Sequence, residues 1–324
     1  MAVKHGKIVI IGAGFVGSAM LNAVLRMNIG NHIVIINRNR EKALGEALDA
    51  SHTTAFAYCP NVKIEVGGYA DCADAQLIIM TAGPSIKPGN TSNRMVLLRE
   101  NARIMREVMK EVTARTREAV IIVVSNPVDV LVYIAHSEFG YPREKVIGTG
   151  TLIDTARFNK ILGDICGVDA KNVVGFVLGE HGPHSFVVWD TVNIAGLPFR
   201  NFETKFGLKQ KLDKGELMRA TKSVGLNIVE LKGYTSSGVA LSACRIAAAI
   251  AHNEKCVIPV SVALCGEYGQ KDVAFSVPCV ISDRGVDLVL ELELDNEAQQ
   301  ELDACAGYLK GRLREIEETQ AFHF

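Results

Sequence analysis

The chain lacks most of what would tie it to a polymer or a surface. Neither charge dominates: 35 Lys and Arg stand against 36 Asp and Glu, a formal net charge of −1. Nothing in that balance calls for a nucleic acid or an anionic membrane. No apolar run approaches a membrane span. The amino-terminal stretch from Met1 to Lys7 meets a short apolar strand too soon for a secretory peptide. The eight cysteines (Cys59, Cys72, Cys166, Cys244, Cys256, Cys265, Cys279, Cys305) are scattered, with no Cys-x-x-Cys pair and no clustered Cys/His ligand set. They read as small buried hydrophobes in a reducing compartment rather than as a disulfide framework or a zinc site. A cytoplasmic protein with no bound metal is expected. Repeats, low-complexity tracts and obvious linkers are missing too.

What is present is an ordinary globular composition, 48% hydrophobic and 22% charged, over 324 residues. That length accommodates two domains. Ile8 to Ile11 is a β-branched, wholly apolar run, as expected of a strand buried on both faces of a parallel sheet. It leads at once into Gly12-Ala-Gly14-Phe15-Val16-Gly17, which opens a helical pattern over Ser18 to Leu25. This is the G-x-G-x-x-G fingerprint in its strand–turn–helix setting. Its first glycine makes the tight turn, its second lets the backbone approach a pyrophosphate, and its third allows close helix–strand packing. A dinucleotide-binding domain is expected.

A second strand, His32 to Ile36, ends at Asn37, twenty residues past Gly17, where an acidic residue commonly receives the adenosine ribose. Here the turn reads Asn37-Arg38-Asn39-Arg40. It is either a solvated turn before a helix of Glu41 to Asp49, or a relaxed barrier to a 2′-phosphate that Arg38 can pair with. Further strands are expected at Val62–Val66, Leu77–Met80 and Val120–Val124. Between the last two, Leu97, Leu98, Asn101, Ile104, Met105, Val108 and Val112 mark a helix with one mainly apolar face. The alternation predicts a doubly wound parallel sheet, with ligands beyond the carboxyl ends of its strands. Two polar loops leave those ends. Thr81 to Arg94 is long and rich in Gly, Pro, Ser and Asn, as suits a lid, and Ser125-Asn126-Pro127-Val128-Asp129 is the other.

Past Thr151 the rhythm changes. Val257–Val262, Val273–Ile281 and Val286–Leu294 read as strands, the last alternating, and Ser282 to Gly285 as a hairpin turn. Helices stand out at Leu217 to Leu231 and in a final stripe of Ala298, Leu302, Cys305, Leu309, Leu313 and Ile316. The expected fold is therefore α/β: a doubly wound Rossmann sheet over 1–148, then an α+β substrate domain with antiparallel strands over 149–324.

Between Gly148 and Gly182 stand three residues that can act together. Arg157 presents a planar fork that grips a carboxylate by two parallel bonds. His181 exchanges a proton near neutral pH. Asp154 can fix the tautomer of an imidazole and stabilise its charged form. Such a set suits anchoring an acid and moving a proton on a neighbouring carbon–oxygen bond. Taken alone, His181 could be a surface loop histidine and Asp154–Arg157 a helix-end ion pair.

With the glycine fingerprint, Ser125-Asn-Pro-Val-Asp129, Asp154-Thr-Ala-Arg157 and Gly-Glu-His181-Gly in this order, the chain resembles the L-lactate dehydrogenases within the lactate/malate dehydrogenase superfamily. The resemblance runs from about Lys7 to the final helix. It implies that His181 is the acid/base, that Asp154 holds its ring, and that Arg157 clamps the substrate carboxylate. It implies further that Arg94 on the lid polarises the carbonyl, that Asn126 contacts the reacting oxygen, and that Thr235 lies beside the substrate side chain. NAD would be held by Gly12, Gly14, Phe15, Val16 and Gly17, by Asn37 and Arg38, by Thr81, Ala82 and Gly83, and by Ser125, Asn126, Thr149 and Val239. A homotetramer or homodimer acting on a small 2-oxo or 2-hydroxy acid is implied, with no nucleic acid, membrane or metal.

Departures from the family pattern matter as well. The position that reads substrate chain length, glutamine in typical lactate enzymes and arginine in malate enzymes, aligns with Ile86. No cation is placed there for a second carboxylate, and an apolar residue favours an apolar side chain. The lid is two residues longer between Gly89 and Arg94 than is usual. Gly-Thr149-Gly and Gly-Tyr-Thr-Ser-Ser-Gly-Val resemble the L-2-hydroxyisocaproate dehydrogenase branch, the alternative being drift among lactate enzymes. Asn159 and Val174 stand where many bacterial relatives hold fructose 1,6-bisphosphate, so that control is not expected. The remaining alternatives are an NADP-preferring enzyme and a non-catalytic dinucleotide-binding protein, the latter opposed by the intact His181, Asp154, Arg157 and Arg94.

Overall fold

The computed structural model describes residues 6–56, 59–85 and 94–321; the side chains at 94, 95 and 318–321 are outside that description. The first half alternates as the apolar runs dictate. Strands β1 (Lys7–Ile11), β2 (His32–Ile36), β3 (Lys63–Val66), β4 (Leu77–Met80), β5 (Val120–Val123) and β6 (Val146–Gly148) are separated by helices α1 (Phe15–Arg26), α2 (Arg40–Thr53), α3 (Arg94–Thr113) and α4 (Val128–Ser137). They pair in parallel in the order β3-β2-β1-β4-β5-β6. The order reverses beside β1, which puts a crevice at the carboxyl ends of β1 and β4. Every residue of β4 and β5 is buried, which explains why these runs are apolar throughout rather than alternating.

The second half comprises α5 (Leu152–Cys166), β7 (Val173–Val174), β8 (Val177–Gly179), β9 (Ser185–Val187), β10 (Asn193–Ile194), β11 (Leu197–Pro198), α6 (Phe202–Lys205), α7 (Lys214–Lys232), α8 (Ser237–Ala251), β12 (Cys256–Cys265), β13 (Lys271–Ser282), β14 (Gly285–Val289) and α9 (Asn296–Ala321). Its long antiparallel strands continue the parallel sheet instead of forming another. Gly148 of β6 pairs with Ser261 of β12, and β13, β8 and β9 follow, giving eleven strands among the described residues. Gly148 permits that junction: a Cβ there would lie 2.8 Å from Ser261 Cβ and from the Val128 and Val132 side chains. β7, β10 and β11 form a small separate sheet over a second apolar cluster containing Phe158, Leu162, Val192 and Phe202.

One sequence expectation needs correction, and one helix was not expected at all. The strand expected to run to Leu294 stops at Val289. Beyond it, Leu290 N–H still reaches the Pro278 carbonyl, but Pro278 has no N–H to return the bond. Tyr268 takes over, its hydroxyl donating to Leu290 O and accepting from Leu292 N–H. Helix α8 has no polar stripe to betray it. Ala240, Ala243, Cys244, Ile246, Ala247 and Ala249 are all buried, and these small residues let α8 lie close on α1, with Cys244 and Met20 sulfurs 3.3 Å apart. All eight cysteines are free. Among the described residues no helix is long and apolar enough to cross a membrane, and no group of three or more His, Cys, Asp or Glu could hold a metal ion.

Candidate active site

His181 stands in the turn between β8 and β9. Gly179, at the end of β8, has φ +85°, and a Cβ there would meet the His184 carbonyl at 2.7 Å, so the turn requires glycine. Glu180 braces it: Oε2 accepts from the His184 backbone N–H at 3.2 Å and from His184 Nδ1 at 2.9 Å. The His184 ring stacks on Tyr308 of α9, tying the turn to the last helix. From this turn His181 Nδ1 donates to Asp154 Oδ2 at 2.6 Å. Asp154 lies in the first turn of α5, where the helix amino terminus favours a carboxylate. Arg157, three residues on and on the same face, donates from Nη1 to Asp154 Oδ1 at 2.9 Å. One buried carboxylate therefore holds the imidazole with one oxygen and the guanidinium with the other, which removes the reading of His181 as a loose surface residue.

A second carboxylate acts from behind. Asp129 is 2% exposed, and its Oδ2 accepts the His181 backbone N–H at 2.8 Å. Its Oδ1 and the Ser261 hydroxyl are both buried and have no hydrogen bond of good geometry. Burial pushes the Asp129 carboxyl up to about 7, opposed by the Ser261 hydroxyl and the His181 amide. For His181, burial works against the imidazolium, but the charge and hydrogen bond of Asp154, helped by Asp129, outweigh it and raise the pKa above the ordinary histidine value. Burial likewise raises Asp154, yet His181 and Arg157 together hold it below the usual carboxylate range. Asp154 is thus an ionised carboxylate shared between the imidazole and the guanidinium.

Two contributors were not singled out from sequence. Asp129 ended a recognised motif but had no role there; only the fold brings it under a residue 52 positions away. Gly225 of α7 faces Arg157, and a Cβ there would stand 3.3 Å and 3.4 Å from its two terminal nitrogens. Any larger side chain would press on the fork.

Most of the residues expected around the cofactor lie in the turns that follow β1, β2, β4 and β5. The turn after β1 fits a dinucleotide on its own geometry. Gly12 has φ +111°, a Cβ on Gly17 would lie 2.0 Å from the Gly12 carbonyl, and Gly14 has nothing within 4 Å of its Cβ position, leaving backbone open to approach. Phe15 is exposed and Val16 part-buried at the start of α1. Asn37 Oδ1 accepts Ala13 N–H at 3.1 Å and its Nδ2 donates to Asn39 O at 2.8 Å, so a neutral amide braces the turn beside the exposed Arg38. Thr81 bonds back to the Ile11 and Gly12 carbonyls, and Ser125 donates to Ala82 O at 2.7 Å. Buried Asn101 donates to both Pro84 O and Asn126 O, knitting the loops after β4 and β5 together around Gly83. Asn126 is exposed, Thr149 is buried at the amino side of α5, Thr235 lies in the connector before α8, and Val239 in its first turn. Ile86 and the lid residues 86–93 lie outside the described residues, as does the side chain of Arg94, whose backbone begins α3.

Sequence models of the NAD-binding domain and of the α/β carboxy-terminal domain of lactate/malate dehydrogenases match residues 6–148 and 151–321. The chain belongs to the lactate/malate dehydrogenase family. This family member is an NAD-linked oxidoreductase of the 2-hydroxy-acid/2-oxo-acid type. It is 49% identical over 308 residues to L-lactate dehydrogenase 2 of Clostridium acetobutylicum, covering 95% of this chain and 96% of that one. It is 41% identical over 307 residues to the L-lactate dehydrogenase of Selenomonas ruminantium, covering 95% and 96%. Among solved structures it is similar to the minor L-lactate dehydrogenase of Enterococcus mundtii in a ligand-bound form, with TM-score 0.90, 36% identity, and 96% and 98% of the two chains covered.

Proposed function

We propose that this dehydrogenase reduces a 2-oxo acid with an apolar side chain to the L-2-hydroxy acid, and runs the reverse reaction, in the site built on Asp154. Arg157 grips the substrate carboxylate through the donors that Asp154 leaves free. With Nδ1 committed to Asp154, His181 has Nε2 left to exchange a proton with the substrate oxygen. Protonated His181 gives that proton to the carbonyl oxygen during reduction, and neutral His181 takes it back from the hydroxyl during oxidation. Asp154 stabilises the imidazolium and fixes its direction. The bound nicotinamide supplies or accepts the hydride. Asn126 contacts the reacting oxygen, and Arg94 brings a second cation to it from the lid. The observation that carries this reading is the shared carboxylate, with His181 at 2.6 Å and Arg157 at 2.9 Å.

The cofactor is held by Gly12, Gly14, Phe15, Val16, Gly17, Asn37, Arg38, Thr81, Ala82, Gly83, Ser125, Thr149 and Val239, in a domain spanning 1–148, with the acid bound by 149–324. Ile86 and Thr235 border the substrate side chain. Extra apolar carbons there contribute about 0.8 kcal/mol per buried methylene, a few-fold each in relative rate. A second carboxylate would be desolvated without a partner, so oxaloacetate is a poor substrate. The enzyme works in the cytoplasm as a tetramer or dimer.

The test is steady-state reduction of a panel of 2-oxo acids with NADH and with NADPH. Acids with three or more side-chain carbons should match or exceed pyruvate in kcat/KM. A preference for pyruvate over 2-oxoisocaproate beyond about a hundredfold, roughly 2.7 kcal/mol, would return the site to plain lactate specificity.

A further inference from the structure

One aromatic contact crosses between the glycine turn and the substrate half without belonging to the core of either. Phe15, directly after Gly14, is 62% exposed, yet its ring stacks on Tyr234 with centroids 3.9 Å apart and planes 9° apart. Neither ring belongs to the buried apolar clusters. Tyr234 sits in the short connector, Gly233 to Ser236, between α7 and α8. Lys232 Nζ lies over the Tyr234 ring at 4.6 Å and also donates to Ser236 Oγ. The connector is therefore held both by Lys232 at its start and by the stack on the glycine turn. Its place follows from the helices it serves. α8 lies along α1, with Cys244 against Met20, so the residues just before α8 fall beside the first residue of α1.

We propose that Phe15 and Tyr234 are positioning residues, whose stack locks the connector bearing Thr235 to the glycine turn so that cofactor seating sets the substrate-pocket wall. The inference rests on the reading above that Thr235 borders the substrate side chain. Helix α1 could begin on any small residue at position 15, and a large exposed ring there adds nothing to the buried core. Its contact is with the connector that carries Thr235. A dinucleotide held on the backbone of Gly14 and Phe15 restricts that turn. Restriction passes through two parallel rings to Tyr234, and from Tyr234 to its covalent neighbour Thr235. By reciprocity, an ordered connector also favours the cofactor-bound turn.

Amide hydrogen exchange of residues 233–236, with and without NADH, tests this without reference to turnover. In the wild type and in Tyr234→Phe, which keeps the ring, NADH should slow exchange across the connector. In Phe15→Ala and Tyr234→Ala, at saturating NADH, that slowing should be lost. Phe15→Leu, which keeps apolar bulk but no ring to stack, serves if alanine disturbs the fold and should lose it too. In turnover, each ring deletion should raise KM for the 2-oxo acid about three- to tenfold, the range of an aromatic pair. The double alanine variant should be no worse than the poorer single one, because both remove the same contact. NADH-dependent protection that persists in Phe15→Ala and Phe15→Leu, or fully additive KM effects, would overturn the proposal. If the wild type reduces no 2-oxo acid, the functional reading fails while the exchange experiment still decides whether the stack transmits cofactor binding.

Discussion

Asp154 Oδ2 accepts a hydrogen bond from His181 Nδ1 at 2.6 Å, while Asp154 Oδ1 accepts one from Arg157. A single carboxylate, nearly buried, thus sets the direction of the imidazole and of the guanidinium at once. It also dominates the electrostatics: burial disfavours the imidazolium, but the attraction of Asp154, helped by Asp129, leaves the His181 pKa raised.

The sign of that balance predicts a pH profile. The folded pKa of His181 is raised, so the protonated form needed for reduction persists above the ordinary histidine value and is lost as pH rises through the folded pKa. Reduction of the 2-oxo acid should decline across that interval and oxidation of the hydroxy acid should rise. In Asp154→Asn the attraction is gone and the burial remains, so the inflection in kcat/KM should move to lower pH. An inflection unmoved by this substitution would assign the titration to another group.

Asp129 should matter through the backbone. Removing its carboxylate in Asp129→Ala frees the His181 N–H and should lower kcat by about ten- to a hundredfold, the range of a hydrogen bond to a charged group. Asp129→Asn keeps an acceptor and should lose less. Stability has its own sign. The folded pKa, about 7, lies above the ordinary 3.8, so ionisation destabilises the fold progressively between those values and by a constant amount above. Thermal unfolding of Asp129→Asn should therefore improve relative to the wild type as pH rises across that window. A difference in Tm that stays flat with pH would contradict it.

Gly225 leaves room for the Arg157 fork. Gly225→Val should raise KM for the 2-oxo acid by about tenfold or more, since a small displacement breaks a bidentate grip. NADH affinity, measured by fluorescence titration, should hardly change. Equal losses in both would indicate a general disturbance of α7.

Asn37 braces the glycine turn as a neutral amide. In Asn37→Asp Oδ1 can still accept from Ala13 N–H, the oxygen that replaces Nδ2 no longer donates to Asn39 O, and the negative charge would repel a 2′-phosphate. The ratio of kcat/KM for NADH over NADPH should widen by at least about tenfold. A native preference for NADPH above tenfold would point to Arg38 and reverse the choice of cofactor.

The parts of the fold that were legible are those governed by local pattern. The apolar run at Ile8–Ile11 with its glycine turn, and the hairpin at Ser282 to Gly285, need only neighbours in sequence. Asp154 and Arg157 were legible as a pair because helical spacing puts them on one face. What stayed hidden depends on distant partners. The Gly148–Ser261 pair that joins parallel and antiparallel strands leaves no periodicity, and α8 lacks a polar face because α1 covers it. The duties of Asp129 and Gly225 exist only once β8 and α7 have been brought over α4 and α5.

The most direct measurement on the central claim is single-substitution kinetics at His181. His181→Ala should lose on the order of 10²- to 10⁴-fold in turnover of the 2-oxo acid, the usual share of a positioned acid/base, while binding NADH with nearly wild-type affinity. A variant that retains more than about a tenth of wild-type turnover would contradict the assignment of His181, and with it the chemistry built on Asp154.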